Sequence, residues 1–376
     1  MTQDRQINER NQDLSNGSNS CILSARIHEY QKPLSIDSTP KPTISTGEQV
    51  LVKVAAAGLC HSDLHLINGD WKEIIPIKLP IAPGHEVAGW VEELGNFVPK
   101  GIFDIGDLVA VFGGWGCGIC FYCKNGDEQL CINPMWPGLS SSHDGGYSEY
   151  ILVPSYRFLI NVKDYQKYNI KTEELAALTD AGLTPYRAIK KIRHLLEPGT
   201  NVAIVGAGGG LGSYGIQYAK IFGAGSNVIA VDVNDTKLEL AKRFGADYII
   251  NAKIQQNIRR DVLQITGGKG VNVVVDCVGT EETIRNSVGI LSKGGVLVMI
   301  GLFGGQINMP LISAVINEYQ VICSLWGNYN ELREVIELAK HQKIKHSIHS
   351  FPLTEVNKAI DSLRAGSIEG RAVIVP

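Results

Sequence analysis

Four cysteines stand within fifteen residues, as Cys117-x2-Cys120-x2-Cys123-x7-Cys131. Four thiolates at this spacing can close a tetrahedron around one zinc ion, and a closed four-sulfur shell leaves no position for a substrate, so the expected role is structural. An iron–sulfur cluster uses the same donors, but no other redox feature surrounds the loop. A set of free thiols is the plain alternative. A nucleic-acid-binding zinc ribbon is disfavoured, because the loop carries only Lys124 as a base. A second group is Gly58-Leu-Cys60-His61-Ser62-Asp63-Leu64-His65, which holds a thiol, a hydroxyl and two imidazoles in one short loop, followed by Gly84-His85-Glu86. Each of these alone is weak evidence, since a lone histidine is more often a core or surface residue than a ligand. The third group is Asn201-Val-Ala-Ile-Val-Gly206-Ala-Gly208-Gly209-Gly210-Leu211-Gly212, an apolar run entering a glycine-rich turn. Here a backbone can approach a pyrophosphate that side chains would block, and the N–H groups at the start of the next helix supply the positive end of a dipole. Asp232 closes the next strand, and a carboxylate there accepts hydrogen bonds from ribose hydroxyls and repels a 2′-phosphate, which favours NAD over NADP. The plain alternative is a glycine-rich turn with an unrelated surface aspartate.

The elements that must position these residues divide the chain into two textures. Short apolar runs broken by Gly and Pro fill the first half, and Val50–Ala57, Val87–Leu94, Asp107–Phe112 and Tyr147–Val153 read as strands. From Glu173 the pattern changes, with Glu173–Thr179 and Pro185–His194 reading as helices. Strands at Asn201–Val205, Val228–Asp232, Val271–Asp276 and Gly295–Gly301 then alternate with helices at Leu211–Phe222 and Thr236–Phe244. Alternation of this kind implies an α/β fold with a doubly wound parallel sheet. Glu331–Lys340 and Glu355–Ala365 read as helices and Ala372–Val375 as a closing strand.

The chain has 376 residues and a formal charge of −3, with 44% apolar and 19% charged residues. That composition excludes a mainly disordered protein. The slightly acidic balance excludes strong global attraction to nucleic acid or anionic lipid, and no apolar run reaches the roughly 18 residues of a membrane span. Residues 1–20 are polar and lack the apolar core of an export signal, so they are expected to form a mobile extension and the protein is expected in the cytoplasm. A reducing compartment favours metal over disulfide for clustered cysteines. Cys21, Cys277 and Cys323 are expected to pack as ordinary apolar residues.

Taken together, the Cys60/His61 and His85 motifs, the four-cysteine loop and the glycine-rich turn resemble the zinc-dependent alcohol dehydrogenases of the medium-chain dehydrogenase/reductase superfamily. The resemblance runs from Ile22 to Pro376, nearly the whole chain. The short segment between Cys131 and Tyr147 is most similar to tetrameric bacterial and archaeal members, which implies a homotetramer. It implies a β-rich GroES-like catalytic domain over 21–182, an NAD-binding Rossmann domain over 183–322, and a return to the catalytic domain over 323–376. It implies two zinc ions per chain, one in the four-cysteine loop and one held by Cys60, His85 and a third ligand. That third ligand is usually a cysteine, whereas Thr179-Asp180-Ala181-Gly182 places Asp180 there, as in some bacterial secondary-alcohol dehydrogenases. Thiolate and carboxylate bring the same charge, though the carboxylate is harder. Further implied roles are Glu86 as an acid beside the metal that becomes a ligand transiently, Asp63 as the carboxylate orienting His85, and Ser62 and His65 as a proton relay. His61, Thr184, Val278, Leu302 and Arg371 match cofactor contacts of the family. The implied reaction is reversible hydride transfer between apolar primary or secondary alcohols and the matching aldehydes or ketones, with NAD. Trp71, Trp115 and Trp136 are expected to wall the substrate cleft and to favour apolar substrates over the polyols and sugars that other members of the superfamily oxidise.

Overall fold

The computed structural model describes residues 21–140, 143–254 and 257–376, and the expected polar extension, 1–20, lies outside the described residues. Strands β1 (Cys21–Arg26) and β2 (Ser35–Pro40) form a small antiparallel sheet. Strands β3 (Val50–Leu59), β4 (Glu86–Leu94), β5 (Leu108–Val111), β6 (Tyr150–Val153) and β7 (Leu159–Asn161) belong to a second, mostly antiparallel sheet. Every residue of β3 is buried except Lys53, as expected for a strand covered on both faces.

Strands β8 (Asn201–Val205), β9 (Asn227–Asp232), β10 (Tyr248–Asn251), β11 (Val271–Asp276), β12 (Leu291–Met299) and β13 (Gln320–Cys323) form a third sheet. It is wholly parallel, in the order β10-β9-β8-β11-β12-β13. This is the doubly wound dinucleotide-binding arrangement, with its order reversing at β8 and β11. All five residues of β8 are buried, as are five of the six of β11, because a parallel sheet is covered by helices on both faces. The chain then returns to the second sheet with β14 (Ile348–Pro352) and β15 (Arg371–Val375), giving the order β14-β15-β3-β4-β5-β7, with β6 also pairing β3.

Two local differences from the sequence reading bear on chemistry. The segment His61–Asn68, expected as a loop, is a helix. Cys60 caps it, and the Asp63 carboxylate accepts the Cys60 N–H at 2.8 Å, which satisfies a donor at the helix start. The two separate helices expected over 173–194 are one continuous run. Thr172–Ala177 passes into a π turn at Leu178–Gly182 and on into Leu183–Ile192. Pro185 has no N–H to give to residue 181, so a regular α ladder is interrupted here, and the wider π turn accommodates the break. That turn carries Asp180.

Candidate active site

The side chains of Cys60, His85, Glu86 and Asp180, all able to ligate a metal, converge from three places in the fold, each offering one donor atom within 4.8 Å of the others. Cys60 ends the β3 connection at the start of the first helix, His85 and Glu86 open β4, and Asp180 comes from the π turn. Cys60 Sγ lies 3.7 Å and His85 Nε2 3.5 Å from Asp180 Oδ2. Thr184, one turn further on, donates to the other Asp180 oxygen at 2.5 Å, which fixes the carboxylate rotamer. Thr184, expected from the sequence as a cofactor contact, thus also braces Asp180.

The electrostatics around this cluster call for a cation. Asp63, Glu86, Asp180 and the Cys60 thiol are all buried, and the nearest permanent positive charge is Arg371. Burial opposes ionisation of Cys60, but Arg371 and His85 outweigh it and lower its pKa. Burial likewise opposes the Asp180 carboxylate, yet His85 and Arg371 hold it well below the ordinary range. Burial disfavours a charged His85, while Asp63 and Asp180 draw its pKa well up. Burial pushes the Glu86 carboxyl up against the pull of Arg371. A soft thiolate, an imidazole and a carboxylate at these separations are a donor set that a divalent zinc ion fits in both charge and chemistry.

Behind the donors sits a supporting shell. His85 turns Nδ1 toward Asp63 Oδ1, 3.5 Å away. Asp63 is itself held by the Tyr147 hydroxyl, which donates to Oδ2 at 2.8 Å. Tyr147 was not foreseen, because it is 84 residues from Asp63. Arg371 donates through Nε to Glu86 Oε2 at 3.0 Å and through Nη2 to Oε1, and its Nη2 is 3.7 Å from Asp180 Oδ2. Its Nη1 also lies 2.7 Å from where a Cβ on Gly210 would stand, so one buried guanidinium links the acidic cluster to the glycine-rich turn.

Ser62 Oγ is 3.6 Å from Cys60 Sγ, at the edge of the cluster. His65 lies on the same helix, with Nδ1 on Asp70 Oδ2 at 2.8 Å and its ring stacked on Trp71. Asp70 reaches it because Gly69 ends the helix at φ 78° and the Asp70 N–H returns to the His65 carbonyl at 3.0 Å. His65 Nε2 is buried with no hydrogen-bond partner among the described residues. His61 packs beside Phe303, and burial with the nearby Arg371 and Lys237 lowers its pKa to about 4, so the ring is neutral near pH 7. Leu302 stands exposed on the same segment as Phe303.

In the glycine-rich turn, Gly206 has φ 74° and Gly209 caps the Gly210–Phe222 helix. A Cβ on Gly212 would collide with the Gly206 carbonyl, so glycine is what lets this helix start so close to β8. Leu211 packs against the core, and Val278 faces Gly206 from the β11 side. Asp232 accepts the Gly208 N–H at 3.0 Å and the Val233 N–H at 2.8 Å, which holds its carboxylate against the turn.

The four sulfurs of Cys117, Cys120, Cys123 and Cys131 form the second donor cluster. Sulfur separations of 3.5 Å for Cys120–Cys123, 3.9 Å for Cys120–Cys131 and 4.0 Å for Cys117–Cys123 match the edge of about 3.8 Å that a tetrahedron with Zn–S bonds of about 2.3 Å requires. Backbone N–H groups of Cys123 and Ile132 bring Cys120 down to about 6, while burial pushes Cys123 up to about 12. The three tryptophans separate. Trp115 is fully buried against Phe158 and His143, and Trp136 packs partly buried against the core. Trp115 is therefore core and not a cleft wall, since its ring is fully covered. Trp71 alone sits beside a residue of the reactive helix.

Sheet order, glycine turn and two donor clusters together define a zinc-binding dehydrogenase. Residues 46–164 match the family model for the alcohol dehydrogenase GroES-like domain, and residues 210–341 match that for zinc-binding dehydrogenases. A NAD-dependent alcohol dehydrogenase of Sulfurisphaera tokodaii is 41% identical over 94% of this chain and 100% of its own. The crystal structure of the alcohol dehydrogenase of Aeropyrum pernix superposes with a TM-score of 0.88 at 38% identity, covering 94% of this chain and 100% of that one. A D-arabinose 1-dehydrogenase (NADP+) of Saccharolobus solfataricus is 33% identical over 94% of this chain and 97% of its own. The chain belongs to the zinc-dependent alcohol dehydrogenases of the medium-chain dehydrogenase/reductase superfamily, and it is an oxidoreductase.

Proposed function

We propose that the protein oxidises apolar primary and secondary alcohols, and reduces the matching aldehydes and ketones, with NAD as hydride carrier and two zinc ions per chain. The observation that carries this reading is the buried Cys60/His85/Asp180 donor set joined through Arg371 to the glycine-rich turn, an arrangement that would hold a metal and a dinucleotide side by side. We assign residues 21–182 and 323–376 to the catalytic domain and 183–322 to the cofactor domain, the two meeting where β15 carries Arg371. Cys60, His85 and Asp180 would hold the catalytic zinc, with Glu86 adjacent, and Cys117, Cys120, Cys123 and Cys131 the structural one. When bound, zinc supplies a Lewis acid for the substrate oxygen and NAD accepts the hydride.

The chain's own residues supply the rest. Ser62 takes the hydroxyl proton, and His65 carries it outward through Nε2, the nitrogen left over once Asp70 has engaged Nδ1. A neutral His61 and the N–H groups of Gly208–Gly212 would hold the pyrophosphate, and Asp232 would accept from the ribose hydroxyls. Thr184, Val278 and Leu302 would contact the cofactor, and Arg371, which already neutralises Glu86, would do the same for a cofactor phosphate.

A homotetramer is supported by Leu311, Ile312, Val315 and Ile316. They lie 68–78% exposed on one short helix, close in sequence to β13, the open edge of the parallel sheet. No helix among the described residues is long and apolar enough to cross a membrane. A cytoplasmic site is in keeping with cysteines clustered as candidate metal donors. The test is kcat/KM for a medium-chain secondary alcohol, the matching primary alcohol and sorbitol, each with NAD and NADP. Unpaired buried hydroxyls cost roughly 1–3 kcal/mol each, so sorbitol is expected to be at least about tenfold poorer. A better rate with sorbitol would replace this reading with that of a polyol or sugar dehydrogenase, and equal values with NAD and NADP would show that the Asp232 carboxylate points away from the ribose.

A further inference from the structure

Trp326 is the residue that the mechanism above leaves unexplained. It lies between β13 and the Tyr329–Lys340 helix, in the connection that leaves the parallel sheet. Its backbone sits at φ 46°, in the left-handed region that a bulky residue adopts only when its surroundings impose it. The side chain is 6% exposed. The indole Nε1–H donates at 2.9 Å to the carbonyl of Thr179, inside the π turn and next to Asp180. The ring also stands edge-on to His85, with centroids 5.5 Å apart at 83°. A Cβ on Gly113 would run into Cζ2 and Cη2 of the indole and approach the His85 carbonyl to 3.2 Å, so glycine at 113 is what admits the ring. One side chain from the cofactor-sheet side thus touches the His85 imidazole and the backbone that carries Asp180.

We propose that Trp326 is a positioning residue for the catalytic metal. It fixes the Asp180 turn through its hydrogen bond and the His85 ring through edge contact, so that both donors are already in place when zinc arrives. This rests on Cys60, His85 and Asp180 being the zinc ligands. A ligand held in its binding geometry loses less entropy on coordination, and outer partners of this kind change metal affinity by roughly 10- to 100-fold.

The test is the rate at which the purified holoenzyme gives up zinc to an excess of a chromogenic chelator. The phase absent from Asp180→Ala marks the catalytic ion, and the remaining phase is an internal control. Trp326→Leu, which loses both contacts, is expected to speed the catalytic phase about 10- to 100-fold and leave the other unchanged. Trp326→Phe keeps a ring against His85 but loses the N–H, and is expected to fall between Leu and wild type. Gly113→Ala is expected to reproduce the loss from the other side of the contact. Should Trp326→Leu fail to fold, Trp326→Phe and Gly113→Ala decide. The proposal is overturned if these variants melt at lower temperature but release zinc at the wild-type rate. If the wild-type protein holds a single zinc and Asp180→Ala removes no phase, the ligand assignment fails first and this role falls with it.

Discussion

In the Cys117–Cys131 lobe, four like side chains come from fifteen consecutive residues, with main-chain N–H groups facing their sulfurs and two of the four half-exposed. At the Cys60 cluster the donors differ in kind, all are buried, and Cys60 and Asp180 stand 120 residues apart. The lobe is a short-range device. Its loop brings the thiols together, and under the proposed zinc binding a closed sulfur shell would tie that loop down without offering a site for chemistry. The buried cluster is a long-range device. It exists only after the second sheet, the π turn and the returning β15 have assembled, and it keeps charged groups that reach outward to the cofactor side. On the proposed reading, local closure goes with stability and long-range convergence with reactivity.

The sharpest way to break that contrast is Asp180→Ala. Partners one step removed from a metal already account for roughly 10- to 100-fold, so loss of a direct ligand should lower kcat by more than about 100-fold. Elemental analysis should then find close to one zinc per chain, against two in the wild type. Two zincs and normal turnover would remove Asp180 from the site. Cys123→Ala probes the other side. Opening the lobe should cost roughly 3 kcal/mol, lowering the thermal midpoint by roughly 6–12 °C, while kcat at 25 °C changes by less than about twofold. Calorimetry and steady-state rates on the same preparation check this, and a collapse of kcat without loss of stability would show that the lobe reaches the chemistry. The mildest variant is Asp180→Cys, which keeps charge and tetrahedral geometry. It should retain both zincs and stay within about tenfold of wild-type turnover. A larger loss would mean that the Thr184 hydrogen bond to Asp180, which a thiolate accepts poorly, matters as much as the metal bond.

The local parts of this protein were legible in its residues. The cysteine spacing, the glycine-rich turn followed by Asp232, and the strand–helix alternation from Asn201 onward each depend on neighbours a few to about twenty positions away. Strands Asn201–Val205 and Val271–Asp276 stand where the apolar pattern puts them. The resemblance that these motifs carry also reached Asp180. The tertiary structure alone decided what the motifs touch. It made a helix of the reactive segment, because the Asp63 carboxylate caps Cys60. It merged two expected helices through a π turn and took Trp115 into the core. It brought Tyr147 to Asp63, Arg371 to Glu86 and Trp326 to His85. No spacing rule signals such contacts. A hydrogen bond between residues 84 or 285 positions apart has no local energy to favour it. It forms only when burial of the sheets and helices has already covered the entropy of bringing those distant segments together.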